Sequence, residues 1–134
     1  MSIQSRICYT VPADIQTVWR TVTSLTDYAW RSGLAKIERL DDTQFVEHTQ
    51  SGAATLFRVT QTQPPHLWAF DMENDYFSGH WTGRFTALDD NRTELDFAED
   101  ITLKKRLPRW LVRFYLYRQQ QRYRRDLCRK LQNV

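Results

Sequence analysis

The last stretch of the chain constrains the fold more than any other. From Leu107 to Val134 there is one proline, Pro108, and no glycine. Proline suits the opening turn of a helix, where its missing N–H leaves no bond unmade. The segment predicts a single helix from about 107 to 132, roughly 37 Å long. Such a helix can lie across an entire antiparallel sheet. A curved sheet wrapped around it leaves space between the two, and such spaces hold ligands.

What precedes the helix reads mostly as strand. Ile3, Ser5, Ile7, Tyr9 and Val11 alternate with polar neighbours, the period of a half-buried strand. Pro12 ends that strand. Ile15, Val18, Trp19 and Val22 then share one face of a helix expected over 12–22. Residues 25–31 read as a second short helix, closed by Ser32-Gly33. Six strands follow, 34–40, 45–50, 53–62, 67–74, 77–88 and 93–103, with turns at Asp41-Asp42, Ser51-Gly52, Asp75-Tyr76 and Asp89 to Arg92. Consecutive hairpins of this kind build an antiparallel meander.

A two-residue turn at Asp75-Tyr76 pairs Phe70 with Trp81, Met72 with Gly79 and Trp68 with Gly83. Pairing Leu88 with Glu94 in the next turn sets Phe85 against Phe97, Gly83 against Glu99 and Trp81 against Ile101. One face then carries Trp68, Phe70, Met72, Asn74, Trp81, Phe85, Leu95, Phe97, Glu99 and Ile101. The other carries Asp71, Glu73, His80, Arg84, Asp96 and Asp100. That segregation predicts one covered face and one wet face. In the 45–62 hairpin one residue of turn length decides whether Glu47 or His48 points inward.

At 134 residues the chain is long enough for one domain, 1–134, with a real core. No repeat, linker, signal-like segment or membrane-length apolar run is legible, so a cytoplasmic protein is expected. Cys8 and Cys128 are expected as two buried thiols. The net charge of +3 is unevenly spread: residues 104–134 carry 11 Lys and Arg and one acid, Asp126. That excess is either complementary to the acidic remainder or an attraction for phosphates such as an anionic membrane. No nucleic-acid motif accompanies it, so no nucleic-acid partner is expected. His48, His66 and His80 lack metal-ligand spacing, and no phosphate loop or nucleophile motif occurs. Neither a metal nor a cofactor is expected.

Val11-Pro12-Ala13-Asp14 with Val18-Trp19, Tyr28 to Gly33, Phe45 to Thr49, Phe77 to Trp81 and the closing helix together carry a family resemblance. The chain resembles the START-like, polyketide cyclase/dehydrase superfamily (SRPBCC, Bet v 1-like proteins) over nearly its whole length. The resemblance implies an α+β helix-grip fold: a seven-stranded curved antiparallel sheet around a long C-terminal helix, with two short helices after the first strand. It also implies an apolar cavity. It carries over no catalytic residues, and the fold serves carriers, receptors and enzymes alike.

The expected ligand-binding set is Trp68, Phe70, Met72, Asn74, Trp81, Phe85, Phe97 and Glu99 from the sheet, and Trp110, Phe114 and Tyr117 from the helix. Glu99 is the one carboxylate in phase with the apolar face. Burial there raises a carboxyl pKa toward an acid/base range, so Glu99 is the candidate catalytic residue or else a structural carboxylate with a buried partner. Glu47 and Arg58 are either a polar pair in the cavity or a surface ion pair. The expected function is binding of a small hydrophobic or amphipathic molecule between sheet and helix. The alternative is a cyclase/dehydratase-type enzyme using the Glu99 carboxylate.

Overall fold

The computed structural model describes residues 2–132. Strand β1 (Ser2–Val11) leads into helix α1 (Ile15–Thr23). Six strands follow: β2 (Leu34–Arg39), β3 (Gln44–Thr49), β4 (Ala54–Gln63), β5 (Leu67–Glu73), β6 (Phe77–Asp89) and β7 (Arg92–Leu103). Helix α2 (Arg109–Gln132) closes the described chain. The seven strands form one sheet in the order β1-β7-β6-β5-β4-β3-β2, and every adjacent pair is antiparallel. The chain therefore crosses from one sheet edge to the other between β1 and β2.

That crossing holds one short helix rather than two. Asp14 caps α1, its Oδ2 accepting from the Thr17 amide at 3.1 Å, so Pro12 stands before the helix. Val18, Trp19 and Val22 are buried, and Trp19 meets the edge of Phe85 at 5.1 Å. At Ser24 the backbone is extended, and residues 25–31 form bends and a turn rather than a helix. Ser24 Oγ accepts from the Asp27 amide at 3.0 Å, and the Trp30 indole donates to the Asp27 carbonyl at 3.2 Å. Local side-chain bonds of this kind compete with a helical ladder. Pro108 precedes α2, and its carbonyl receives the amides of Leu111 and Val112.

The β5–β6 register agrees with expectation, but β6–β7 is shifted by two residues. Phe85 faces Leu95, Gly83 faces Phe97 and Trp81 faces Glu99. Asp89 pairs with Arg92 across a two-residue loop, and an irregularity at Leu88 absorbs one residue. Because the shift is even, every side chain keeps its expected face. In β3 and β4, Phe45 lies opposite Phe57 and Glu47 opposite Thr55. Glu47 thus shares the covered face, while His48 reaches outward to Glu38 at 3.3 Å. Gly52, at the β3–β4 turn, has φ of 93°, a conformation that favours glycine.

The core lies between the sheet's concave face and the two helices. It joins Phe45, Phe57, Trp68, Phe70, Met72, Phe85 and Phe97 to Val18, Trp19, Val112, Leu116, Leu127 and Leu131. Cys8 and Cys128 are free; Cys8 points out of β1 and is exposed, contrary to the expected buried thiol, and Cys128 is half-buried.

Candidate functional site

One group of polar residues on the concave face clusters around a single cross-strand row. Ser5, Glu99, Trp81 and Phe70 face one another in turn across β1, β7, β6 and β5. Gly79 and Gly83 flank Trp81 on the same face of β6, since strand side chains repeat every two residues. A side chain at Gly83 would collide with the Trp81 indole, which lies across that position. So placed, Trp81 stacks on Phe70 at 4.7 Å with an interplanar angle of 10° and tilts against Phe97 at 4.8 Å. Trp68 closes on Trp81 at 6.1 Å and on Phe70 at 5.2 Å. Among these, Ser5, Gly79, Trp81 and Glu99 are only partly covered.

Glu99 is held from above. Gln120 of α2 donates from Nε2 to Ser5 Oγ at 2.6 Å and to Glu99 Oε1 at 3.2 Å. Burial drives the Glu99 pKa above the ordinary glutamate value, and the Gln120 bond offsets part of that rise. A carboxylic acid held toward its neutral form can donate a hydrogen bond or a proton, as well as accept one. Gln120 was not among the expected site residues. The signal was present: Gln120 falls in the series Leu116, Gln120, Tyr123, Leu127, Leu131, spaced three or four apart, and is the one amide in it.

Asn74 is committed to the β5–β6 turn. Its Oδ1 accepts from the amides of Tyr76 and Phe77, and its Nδ2 donates to Thr55 at 3.0 Å. Phe85, Phe97, Met72 and Trp68 are buried in the core. Trp110, Phe114 and Tyr117 lie on the outer side of α2, 71%, 54% and 59% exposed. The buried series of α2 runs through Val112 and Leu116, and neighbours one or two residues away point elsewhere on a helix. These three therefore do not share the covered face with Trp81 and Glu99.

A second polar group lies under the other half of α2. Arg31 grips Glu47 through two bonds of 2.9 Å, and its guanidinium lies 5.4 Å from the Tyr123 ring centre. Burial pulls the Arg31 pKa down, but attraction and hydrogen bonding from Glu47 outweigh it and the net shift is upward. Burial pushes the Tyr123 hydroxyl up to about 12. Asp126 accepts from both the amide and the hydroxyl of Ser32 at 2.8 Å. The partner of Glu47 is thus Arg31 and not Arg58, which sits opposite Asp71 on the outer face. Tyr9 Oη is buried with no hydrogen-bond partner among the described residues.

Two open depressions of about 420 and 370 Å³ lie along the outer face of the sheet. Arg58, Asp71 and His80 line the first, and Arg6, Thr82 and Ala98 the second. His80 Nδ1 pairs there with Asp71 at 2.7 Å. Among the described residues no group of His, Cys, Asp or Glu is arranged to hold a metal ion, and no helix is long and apolar enough to cross a membrane.

Solved structures share this architecture at low identity. A START superfamily protein from Mycobacterium smegmatis superposes with a TM-score of 0.86 at 14% identity, covering 97% of this chain and 97% of that one. The ZhuI aromatase/cyclase from Streptomyces sp. R1128 gives 0.86 at 15% identity, covering 98% and 94%. Norcoclaurine synthase from Thalictrum flavum, solved with dopamine and hydroxybenzaldehyde, gives 0.68 at 9% identity, covering 99% and 88%. At these identities the likeness shows the fold, and fold alone does not choose a chemistry. Among curated proteins none matches the chain in sequence. Residues 3–134 match the family described as polyketide cyclase / dehydrase and lipid transport, and the chain belongs to that START-like family.

Proposed function

We propose that this protein binds a small hydrophobic or amphipathic molecule between the concave face of the sheet and α2. The observation that carries this reading is the trio Ser5, Glu99 and Gln120, set beside the stacked rings of Trp81 and Phe70. A few convergent polar groups on an aromatic wall orient a ligand, while the rings supply most of the contact. The Tyr9 hydroxyl, which has no hydrogen-bond partner among the described residues, is a further donor on the same face. The family's scope, which spans polyketide cyclases, dehydrases and lipid transport, fits a ligand of this class.

The raised pKa of Glu99 favours one second reading, an enzyme of the cyclase/dehydratase type in which Glu99 passes a proton to or from the bound molecule. The two readings part on one variant. Glu99→Gln keeps the shape and the Gln120 contact but removes the titrating group. Native mass spectrometry of the purified protein, with extraction of any co-purified small molecule, identifies the ligand. Binding of that molecule to wild type and to Glu99→Gln from about pH 4 to 8 then tests the site, across the range set by the ordinary carboxylate value. Changed affinity or pH dependence with the fold intact supports ligand contact at Glu99. Lost turnover with retained binding supports the enzyme. Identical binding across the range, with turnover also unchanged, overturns both roles for Glu99.

A further inference from the structure

Leu107, Trp110, Leu111, Phe114, Tyr115 and Tyr117 are all large, apolar or aromatic, and exposed, and they fall within eleven consecutive positions. No other segment of the described chain gathers so many. The helix buries Val112 and Leu116 toward the sheet, so most of this group covers the opposite side. The wider segment around it is basic. Between residues 101 and 125 there are nine Lys and Arg and no Asp or Glu. Arg118 lies 5.8 Å from the Phe114 ring centre, and Lys105 lies 4.4 Å from that of Tyr76, itself exposed.

We infer that the N-terminal half of α2 is a docking surface for an anionic phospholipid bilayer. Tryptophan and tyrosine favour the headgroup boundary, where an apolar ring meets water. Leu107, Leu111 and Phe114 supply side chains that enter the acyl region, and flanking cations meet lipid phosphates. Charge complementarity selects this occupant over a second copy of the chain. In a two-fold symmetric dimer through this face, arginines would meet arginines, with no acid between residues 101 and 125 to offset them. It also selects a bilayer over a nucleic-acid duplex, whose bases are stacked inside and leave the exposed Trp110 and Phe114 no use, and over a single strand, whose bases have nothing to stack on at Leu107 and Leu111. The docking surface is separate from the Ser5, Glu99 and Gln120 trio and stands whether or not a ligand occupies the interior.

Flotation of the full chain with vesicles tests the proposal. Neutral phosphatidylcholine vesicles are compared with vesicles containing phosphatidylglycerol, at rising salt. Wild type is expected to float with the anionic vesicles and to lose about tenfold or more in binding as salt rises from low to several hundred millimolar. Trp110→Ser with Phe114→Ser, and separately Arg113→Gln with Arg118→Gln, should each weaken binding about tenfold at low salt. These side chains are exposed, and unchanged melting curves certify the variants as folded. Three results overturn the proposal: no flotation of wild type at low salt, equal binding by the Trp110/Phe114 variant, or a concentration-dependent dimer that the same variant abolishes while vesicle binding stays absent. Binding of duplex or single-stranded nucleic acid as tight as vesicle binding also overturns it.

Discussion

Gln120 on α2 and Glu99 on β7 are joined by a 3.2 Å hydrogen bond that ties the middle of the long helix to the strand beside the sheet's β1 edge. The bond reaches a carboxyl whose pKa is raised, chiefly by burial. The folded protein therefore holds this proton more firmly than the unfolded chain. Stability from this group is fully present below the unfolded glutamate value, near 4.5, and falls as pH rises through the higher folded value. Glu99→Gln removes that loss. Its melting temperature should exceed that of wild type at pH 7, and the gap should narrow near pH 4. Asp14 and Asp96, whose pKa values are lowered by their hydrogen bonds, push the other way in both proteins and cancel in the difference. A wild-type-to-variant gap that is flat with pH would show that Glu99 is as well solvated when folded as when unfolded.

Trp19→Ala should destabilise the protein by about 3–5 kcal/mol. The indole is buried against Phe85, and it fixes α1 to the sheet. Urea unfolding measures the change. An unchanged midpoint would mean that α1 contributes little to the cooperative core.

Gly83→Ala tests the aromatic wall. A methyl group there would meet the Trp81 ring and come within 3.2 Å of Phe97 Cδ1. The indole must swing away, disturbing its stack on Phe70. Stability should fall by about 1–3 kcal/mol, the range for overpacking, and near-ultraviolet circular dichroism should change. An unaltered aromatic spectrum with unchanged stability would place the Trp81 ring elsewhere.

The residues that were readable in sequence were those obeying a local period. Alternation in β5, β6 and β7 gave the correct faces for Trp68, Phe70, Trp81, Phe97 and Glu99, because a two-residue shift of register leaves orientation intact. The partner of Glu99 was not readable. Whether it faced Gly83 or Trp81 depended on how a turn at Asp89 to Arg92 disposed of one residue. The helix was readable as a helix, but which of its aromatics turned inward was not. From Trp110 to Tyr117 nearly every position is apolar, so periodicity selects no face, and contact with the sheet through Val112 and Leu116 decides it. The turns of residues 25–31 were missed for a related reason: Trp30 to Ser32 are ordered by long-range partners on β3 and α2.

Those long-range partners yield the last prediction. Asp126, 4% exposed, is the single acid in the basic C-terminal stretch, and it accepts two bonds of 2.8 Å from Ser32. Trp30 packs on Tyr123 at 5.4 Å, and Arg31 joins Tyr123 to Glu47. The connection between α1 and β2 is thereby pinned to the C-terminal half of α2. Asp126→Asn keeps one acceptor but loses the charge. Asp126→Ala leaves the Ser32 amide and hydroxyl without their acceptor, at a cost of about 1–3 kcal/mol. Hydrogen exchange at the Ser32 amide should accelerate in the alanine variant well beyond the global loss of stability, and less so in the asparagine variant. Ser32→Ala removes the hydroxyl but not the amide, so it should have the smallest effect of the three. Equal exchange at Ser32 in wild type and Asp126→Ala would show that the connection is held by its aromatic contacts alone.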